Sequence, residues 1–154
     1  MTKLKISLLK SYLSFAKANV DSNMFRKLYF NDHKKNIDIL EDGNLSCAFF
    51  VSSVLKIFDL IKKTHTTVNG TIKDMENCGW KNIKKPTPGC IIVWNNNMLK
   101  NKKDHKHIGI YLGQNKAISN SSEKKTPQIK KYNYQEIEKI LWNKKINSLN
   151  YVEI

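Results

Sequence analysis

The stretch Leu45-Ser-Cys-Ala-Phe-Phe-Val-Ser-Ser-Val-Leu-Lys-Ile-Phe58 decides the architecture. Its apolar residues Phe50, Val51, Val54, Leu55 and Phe58 recur with a 3.6-residue period, so it reads as the strongest helix of the chain. Ser46 stands where an N-cap belongs, which puts Cys47 in the first turn. The segments that follow are of another kind. Cys90-Ile-Ile-Val-Trp94 and His107-Ile-Gly-Ile-Tyr-Leu112 are short and dense in β-branched and aromatic residues, the composition of buried strands. Gly113-Gln-Asn-Lys116 reads as a hairpin turn and Ala117-Ile-Ser-Asn120 as its returning strand. Helix first and antiparallel strands after is an α+β layout.

Working outward, Leu4, Leu8, Tyr12, Leu13 and Ala16 recur at helical spacing and predict one amphipathic helix over residues 3–19. A second short helix is expected over 22–30. Residues 31–44 are polar and carry the turn signal Glu41-Asp-Gly-Asn44. Thr71 is expected to cap a short helix that reaches Cys78 and stops at Gly79. Pro86-Thr-Pro-Gly89 is a turn. Residues 95–103 and 121–131 read as loops, 134–142 as a short helix, and 149–154 as a last strand. No internal repeat is present.

The chain has 154 residues, 27 of them Lys or Arg against 13 Asp or Glu, for a formal net charge of +14. That length suits one domain, and 40% hydrophobic content is enough for a real core. The charge invites a nucleic-acid partner, but Arg26 is the single arginine, and bidentate phosphate and guanine recognition is mostly arginine work. The lysines are dispersed in pairs along the chain. They read first as a solvated surface and second as attraction to an anionic polymer. Nucleic acid is therefore not the expected partner. No apolar run is long enough to span a membrane. The first ten residues hold Lys3, Lys5 and Lys10 and lack an apolar h-region, so no secretory signal is read. The expectation is a cytoplasmic protein, or one exported by a non-classical route.

Three cysteines, Cys47, Cys78 and Cys90, with no C-x-x-C pair, argue against a disulfide framework and against a zinc ribbon. A nucleophilic cysteine must ionise near neutral pH, and a helix N-terminus favours that. Cys47 alone has such a place. Cys78 falls at a helix C-terminus, where the dipole opposes ionisation, and Cys90 opens an apolar strand. The usual base for a thiol is histidine. His33 and His65 lie in polar, loop-like sequence. His105 and His107 alternate onto one face of a strand. His107 is followed on that face by Gly109, which leaves room for a substrate or a packed helix terminus. The pair Cys47/His107 is thus a catalytic candidate, against the plainer reading of a buried cysteine and a surface histidine. His105-Lys-His107 has the spacing of a metal pair, but Asp104 is the one further ligand nearby. No metal and no cofactor is expected. Trp80 and Trp94 read as packing, and Trp94 could also border a groove.

The segments Leu45-Ser-Cys-Ala-Phe-Phe-Val51, Pro88-Gly-Cys-Ile-Ile-Val-Trp94 and His107-Ile-Gly-Ile-Tyr-Leu-Gly113 occur in the order of the three signature segments of the NlpC-type, papain-like cell-wall cysteine peptidases, and resemble them. The likeness covers roughly residues 40–122, and its most specific part is His-x-Gly-Ile-Tyr-Leu-Gly. It implies a helix bearing the cysteine, packed on an antiparallel sheet bearing the histidine. On this likeness the chain is one NlpC-like domain, with 1–40 a helical extension and 41–154 the catalytic core.

By the same likeness Cys47 corresponds to the nucleophile and His107 to the general base. The family's third polar residue orients the base from the next strand. Counting through the hairpin puts Ser119 at that position, with Asn120 beside it. Asn is a familiar third member of papain-like sites. The two face opposite sides of a regular strand, so one of them serves unless a bulge re-aims the chain, and the expectation is Asn120 for the chemistry and Ser119 for register. Ser46, Ala48, Phe49 and Cys90 depart from the family pattern, Phe49 standing where the family has glycine. The Cys47 backbone N–H would serve the oxyanion hole. The implied activity is a hydrolase, a peptidase or amidase cleaving peptide or amide bonds by acyl transfer, with peptidoglycan stem peptides as substrate and a bacterial or phage setting. The alternatives are an inactive binding protein on the same fold, directed at an anionic polymer, and a basic nucleic-acid-binding domain.

Overall fold

The structure is a computed structural model and describes residues 3–95, 106–132 and 134–153. Its elements run β1 (Lys3–Ser7), α1 (Leu8–Ala18), β2 (Tyr29–Asp32), β3 (Lys35–Asp38), α2 (Cys47–Ile57), α3 (Val68–Asn77), β4 (Lys81–Asn82), β5 (Ile91–Asn95), β6 (Lys106–Gly113), β7 (Lys116–Ser121), β8 (Thr126–Lys131), β9 (Ile137–Trp142) and β10 (Leu149–Glu153). A six-stranded sheet in the order β4-β9-β5-β6-β7-β8 carries the fold, and its recorded pairings are antiparallel. The α+β layout expected from the sequence is the one found.

The two faces of this sheet are different places. Ile91, Val93, Ile108, Ile110 and Ile118 face α2 and form one cluster with Phe50, Val51, Val54 and Leu55, joined by Tyr12 and Ala16 of α1 and by Ile72 and Met75 of α3. Cys90, Ile92, Trp94, Tyr111, Ala117 and Ile140 face the other way and form a second cluster, against which Tyr132 packs. Strand alternation therefore sends neighbours to opposite sides. The Tyr12 hydroxyl donates to the Gly89 carbonyl at 3.2 Å and ties α1 to the turn before β5. Ahead of α2, Arg26 grips Asp42 through two parallel bonds, Nε to Oδ1 at 3.1 Å and Nη2 to Oδ2 at 2.6 Å.

The predicted α2, β5, β6, β7 and the turn at 113–116 form where expected. Gln114 and Asn115 both take positive φ, as a two-residue hairpin turn requires. Six expectations need correction. Residues 3–7 are a strand, not the start of a helix, and pair antiparallel with β10. Lys3-Leu-Lys-Ile-Ser7 alternates polar and apolar, so the segment satisfies both periods, and a partner from the far end of the chain decides between them. Residues 22–30 hold a single 3-10 turn, Asn23–Phe25, capped by the Ser22 hydroxyl, before β2 begins. The polar stretch after it is the hairpin β2–β3, turning at His33 and Lys34 with φ of 44° and 97° and no glycine to advertise it. The cap of α3 is Thr67, whose hydroxyl accepts from Gly70 N–H, while Thr71 lies inside the helix and donates to the Thr67 carbonyl. Finally, 126–131 is strand β8, not loop, and 134–142 is a short 3-10 turn followed by β9, not a helix. In β9 the apolar residues Ile137, Ile140 and Leu141 have helical spacing. Pairing on both sides, with β4 and β5, overrides it. Among the described residues no helix is long and apolar enough to cross a membrane.

Candidate active site

Cys47 is the first residue of α2, so its backbone N–H is one of the donors a helix leaves unpaired at its start. Ser46 precedes it as the N-cap position but does not cap through its side chain. It is fully buried, with its Oγ unpartnered among the described residues. The Cys47 thiol is half-buried, and the backbone N–H groups of Ile108, Ala48 and Cys47 face the sulfur. Burial pushes the thiol above its ordinary value, and these amides offset that only in part. The lowering expected from the helix terminus is therefore outweighed. The contact with Ile108 is nonetheless informative, because it holds the sulfur one residue along the chain from His107.

His107 projects from β6 on the face away from α2, alongside Gly109 and Tyr111. Trp94 sits opposite it on β5 and packs on its ring, centroids 5.6 Å apart. From β7, Ser119 Oγ lies 2.7 Å from His107 Nε2 and also donates to the Ile108 carbonyl. A hydroxyl has one proton, and a carbonyl can only accept. The Ser119 proton is thus committed to Ile108, and Ser119 accepts from Nε2–H. That fixes the imidazole tautomer and leaves the lone pair on Nδ1, the atom free to take a proton. The space expected at Gly109 is not open. A Cβ there would stand 2.9 Å from the Ile118 carbonyl oxygen, 3.0 Å from Trp94 Cζ3 and 3.1 Å from Ser119 Cβ, so glycine is what lets the Trp94–His107–Ser119 group close up. Burial, with a smaller contribution from the Lys130 charge, pushes the imidazole down to about 4.

Asn120 points the other way. It is 2% exposed, and its Nδ2 donates to the Gly43 carbonyl at 2.7 Å, tying β7 to the turn that leads into α2. Its Oδ1 has no partner among the described residues. This reverses the expected assignment: the structure brings Ser119, not Asn120, to the imidazole, and Asn120 anchors the turn that leads to Cys47. No hydrogen bond joins the thiol to the imidazole among the described residues, and at neutral pH both groups are uncharged. Cys90 is buried and pushed up to about 12, and Cys78 lies beside the Asp74 carboxylate at 3.6 Å with its thiol also raised; neither is suited to be a nucleophile. His65 pairs with Asp74 at 2.7 Å, away from the site, and His33 sits at the hairpin tip. His105 and Asp104 lie outside the described residues.

On the imidazole side the sheet and the chain after β8 enclose a cavity of about 210 Å³, lined by Trp94, His107, Ser119, Gln128, Lys130 and Tyr132 among others. Cys47 is not part of that lining. The sequence reading missed the contribution of β8, although Thr126, Gln128 and Lys130 alternate as one strand face should. Gln128 stands opposite Ser119, and Lys130 opposite Ala117. Replacing Ser119 by alanine frees the tautomer without touching the core. We expect kcat to fall by roughly tenfold with the melting temperature nearly unchanged, and Ser119→Asn to restore part of the rate, since its amide oxygen can also accept. Steady-state kinetics on the two variants, with thermal denaturation alongside, checks this.

Comparison with known proteins gives three findings. No curated protein matches. Ten solved chains match. Among them "Structure of NlpC2 from Trichomonas vaginalis" aligns with a TM-score of 0.52 and 16% identity, covering 86% of this chain and 46% of that one. That likeness speaks for the fold, and this chain spans less than half the length of that relative. The model of the NlpC/P60 family matches residues 14–148. The function associated with that family is in general of the cell-wall peptidase or amidase type. The match takes in α2, the whole six-stranded sheet, and every residue that meets at the imidazole, and on it the chain belongs to the NlpC/P60 family.

Proposed function

We propose that this protein is a cysteine hydrolase that cleaves peptide or amide bonds of peptidoglycan by acyl transfer, with Cys47 as nucleophile, His107 as general base and Ser119 as the residue that positions the base. The observation that carries the reading is the single-tautomer imidazole held by Ser119, one residue from the backbone amide that faces the Cys47 sulfur. With thiol and imidazole both neutral, a resting ion pair is uphill, so deprotonation is coupled to attack. Nδ1 takes the thiol proton as sulfur bonds to the carbonyl carbon, and Nε2–H keeps its bond to Ser119. The developing oxyanion draws on the Cys47 N–H at the start of α2. The imidazolium then gives its proton to the leaving amine. Water, deprotonated by the same imidazole, cleaves the thioester and regenerates the thiol. The scattered lysine surface suits approach to an anionic wall polymer.

Digestion of purified peptidoglycan by the native protein, with products read by mass, tests this. New termini within the stem peptide or at the sugar–peptide amide are the expected result. An undigested sacculus, together with a thiol that iodoacetamide labels no faster than a buried cysteine, would leave the inactive binding protein as the better reading. The acid limb of the rate carries a separate prediction. A base whose value is pushed down stays neutral, and able to accept a proton, until the pH falls to that value. The rate is therefore expected to hold below the ordinary imidazole value and to be halved near pH 4. A pH profile of kcat/KM checks it, and an acid limb near neutrality would contradict it.

A further inference from the structure

The imidazole is a weak base partly because a cation stands near it, and the surroundings show which cations are already neutralised. Lys106, next to His107 on β6, is bound to Glu138 at 2.8 Å, and Lys139 of β9 to Glu76 at 2.9 Å. Lys130 is different. It projects from β8 on the same sheet face as Ser119 and His107, lines the cavity, and makes no ion pair or hydrogen bond among the described residues. Gln128, the other polar side chain of β8 in the lining, is occupied: its amide donates to Asp21 Oδ1 at 2.6 Å and to Thr126 Oγ1 at 2.9 Å. The remaining charges of the lining are Lys131 and Glu136, and the walls are the Trp94 and Tyr132 rings, centroids 6.0 Å apart. A cleft with two lysines, Lys130 and Lys131, that make no ion pair among the described residues, and with the Lys130 charge felt at the base, suits an anionic group.

We propose that the substrate portion bound in this cavity carries a carboxylate and that Lys130 recognises it. Lys130 is thereby a specificity-determining residue. A neutral analogue of the same shape is bound beside an uncompensated cation, while the charged substrate offsets the smaller, charge-borne part of what lowers His107 and leaves the part due to burial. This deepens the hydrolase reading and rests on it for the catalytic consequence. The linkage between ligand charge and the imidazole is a binding property that can be measured without turnover.

The test is a nuclear magnetic resonance titration of the His107 imidazole in the Cys47→Ala protein, with N-acetylglycine or N-acetylglycinamide at saturation as the charged and neutral probes. N-acetylglycine is expected to raise the His107 midpoint by roughly one unit and N-acetylglycinamide to leave it in place. In Lys130→Gln the free protein starts from a raised midpoint, and the two probes no longer differ. Lys130→Arg keeps the difference. Equal midpoints with both probes, or no perturbation of the Trp94 and Tyr132 signals by either at tens of millimolar, overturn the proposal. A native protein that digests no peptidoglycan while the charged probe still shifts His107 sinks the hydrolase reading and leaves Lys130 as a carboxylate site. Digestion that proceeds although probe charge has no effect does the reverse.

Discussion

Cys47→Ala is expected to abolish hydrolysis, with a loss on the order of 10⁴-fold or more in kcat, while the protein stays folded. The size of the loss follows from the chemistry. Without the sulfur there is no atom to form the acyl intermediate, and water must attack directly with only the backbone amides at the start of α2 to stabilise the oxyanion. The fold should survive because alanine is the best helix former and the thiol is only half-buried. Cys47→Ser should fare nearly as badly, since a hydroxyl gives up its proton to a weak imidazole less readily than a thiol does. Cys78→Ala is the control. Its thiol sits by Asp74 at the far end of α3 and its loss should leave the rate intact. Product analysis by mass and circular dichroism on the three variants decide the matter. Retained hydrolysis in Cys47→Ala would remove the assignment of the nucleophile.

The largest effect on stability is expected at Phe50. This residue is 0% exposed, and its N–H donates to the Ser46 carbonyl at 2.9 Å, closing the first turn of the helix that carries Cys47. Its ring meets that of Phe25 edge-on, centroids 5.0 Å apart, so it joins α2 to the segment between α1 and β2. Phe50→Ala removes that contact and leaves a cavity the surrounding strands cannot collapse into. The cost should be about 3–5 kcal/mol, a large share of the roughly 5–15 kcal/mol that holds a domain together. Phe50→Leu should cost less, because it keeps most of the volume. Ile57→Ala, seven residues along and 58% exposed, should change stability by no more than about 0.5 kcal/mol. Urea unfolding of the three variants gives the comparison. A Phe50→Ala protein as stable as the native one would mean that α2 is not anchored through this residue.

Between them these two positions show where the sequence was legible. The 3.6-residue period of 47–57 is a local pattern on a helix with one buried face, so α2, and Cys47 at its start, could be read directly. The β-branched run of β5 and the turn at Gln114-Asn115 are equally local, and β5, β6 and β7 followed from them. The likeness in the His107–Gly113 segment pointed to the base. Residues 3–7 and 137–142 were misread because local spacing does not show pairing: 3–7 satisfies both periods and 137–142 the helical one, and in each a partner strand far along the chain decides.

The sequence by itself thus determined the Cys-bearing helix, the histidine strand beside it and the α+β class, because each is written in the spacing of adjacent residues. Tertiary structure decided the rest. Alternation required that only one of Ser119 and Asn120 meet His107, but which face holds the imidazole depends on which face α2 covers. That is settled by packing between residues far apart in the chain. The same packing reversed the expected ionisation of Cys47. A helix terminus favours a thiolate from nearby, whereas the desolvation that outweighs it comes from the whole surrounding fold.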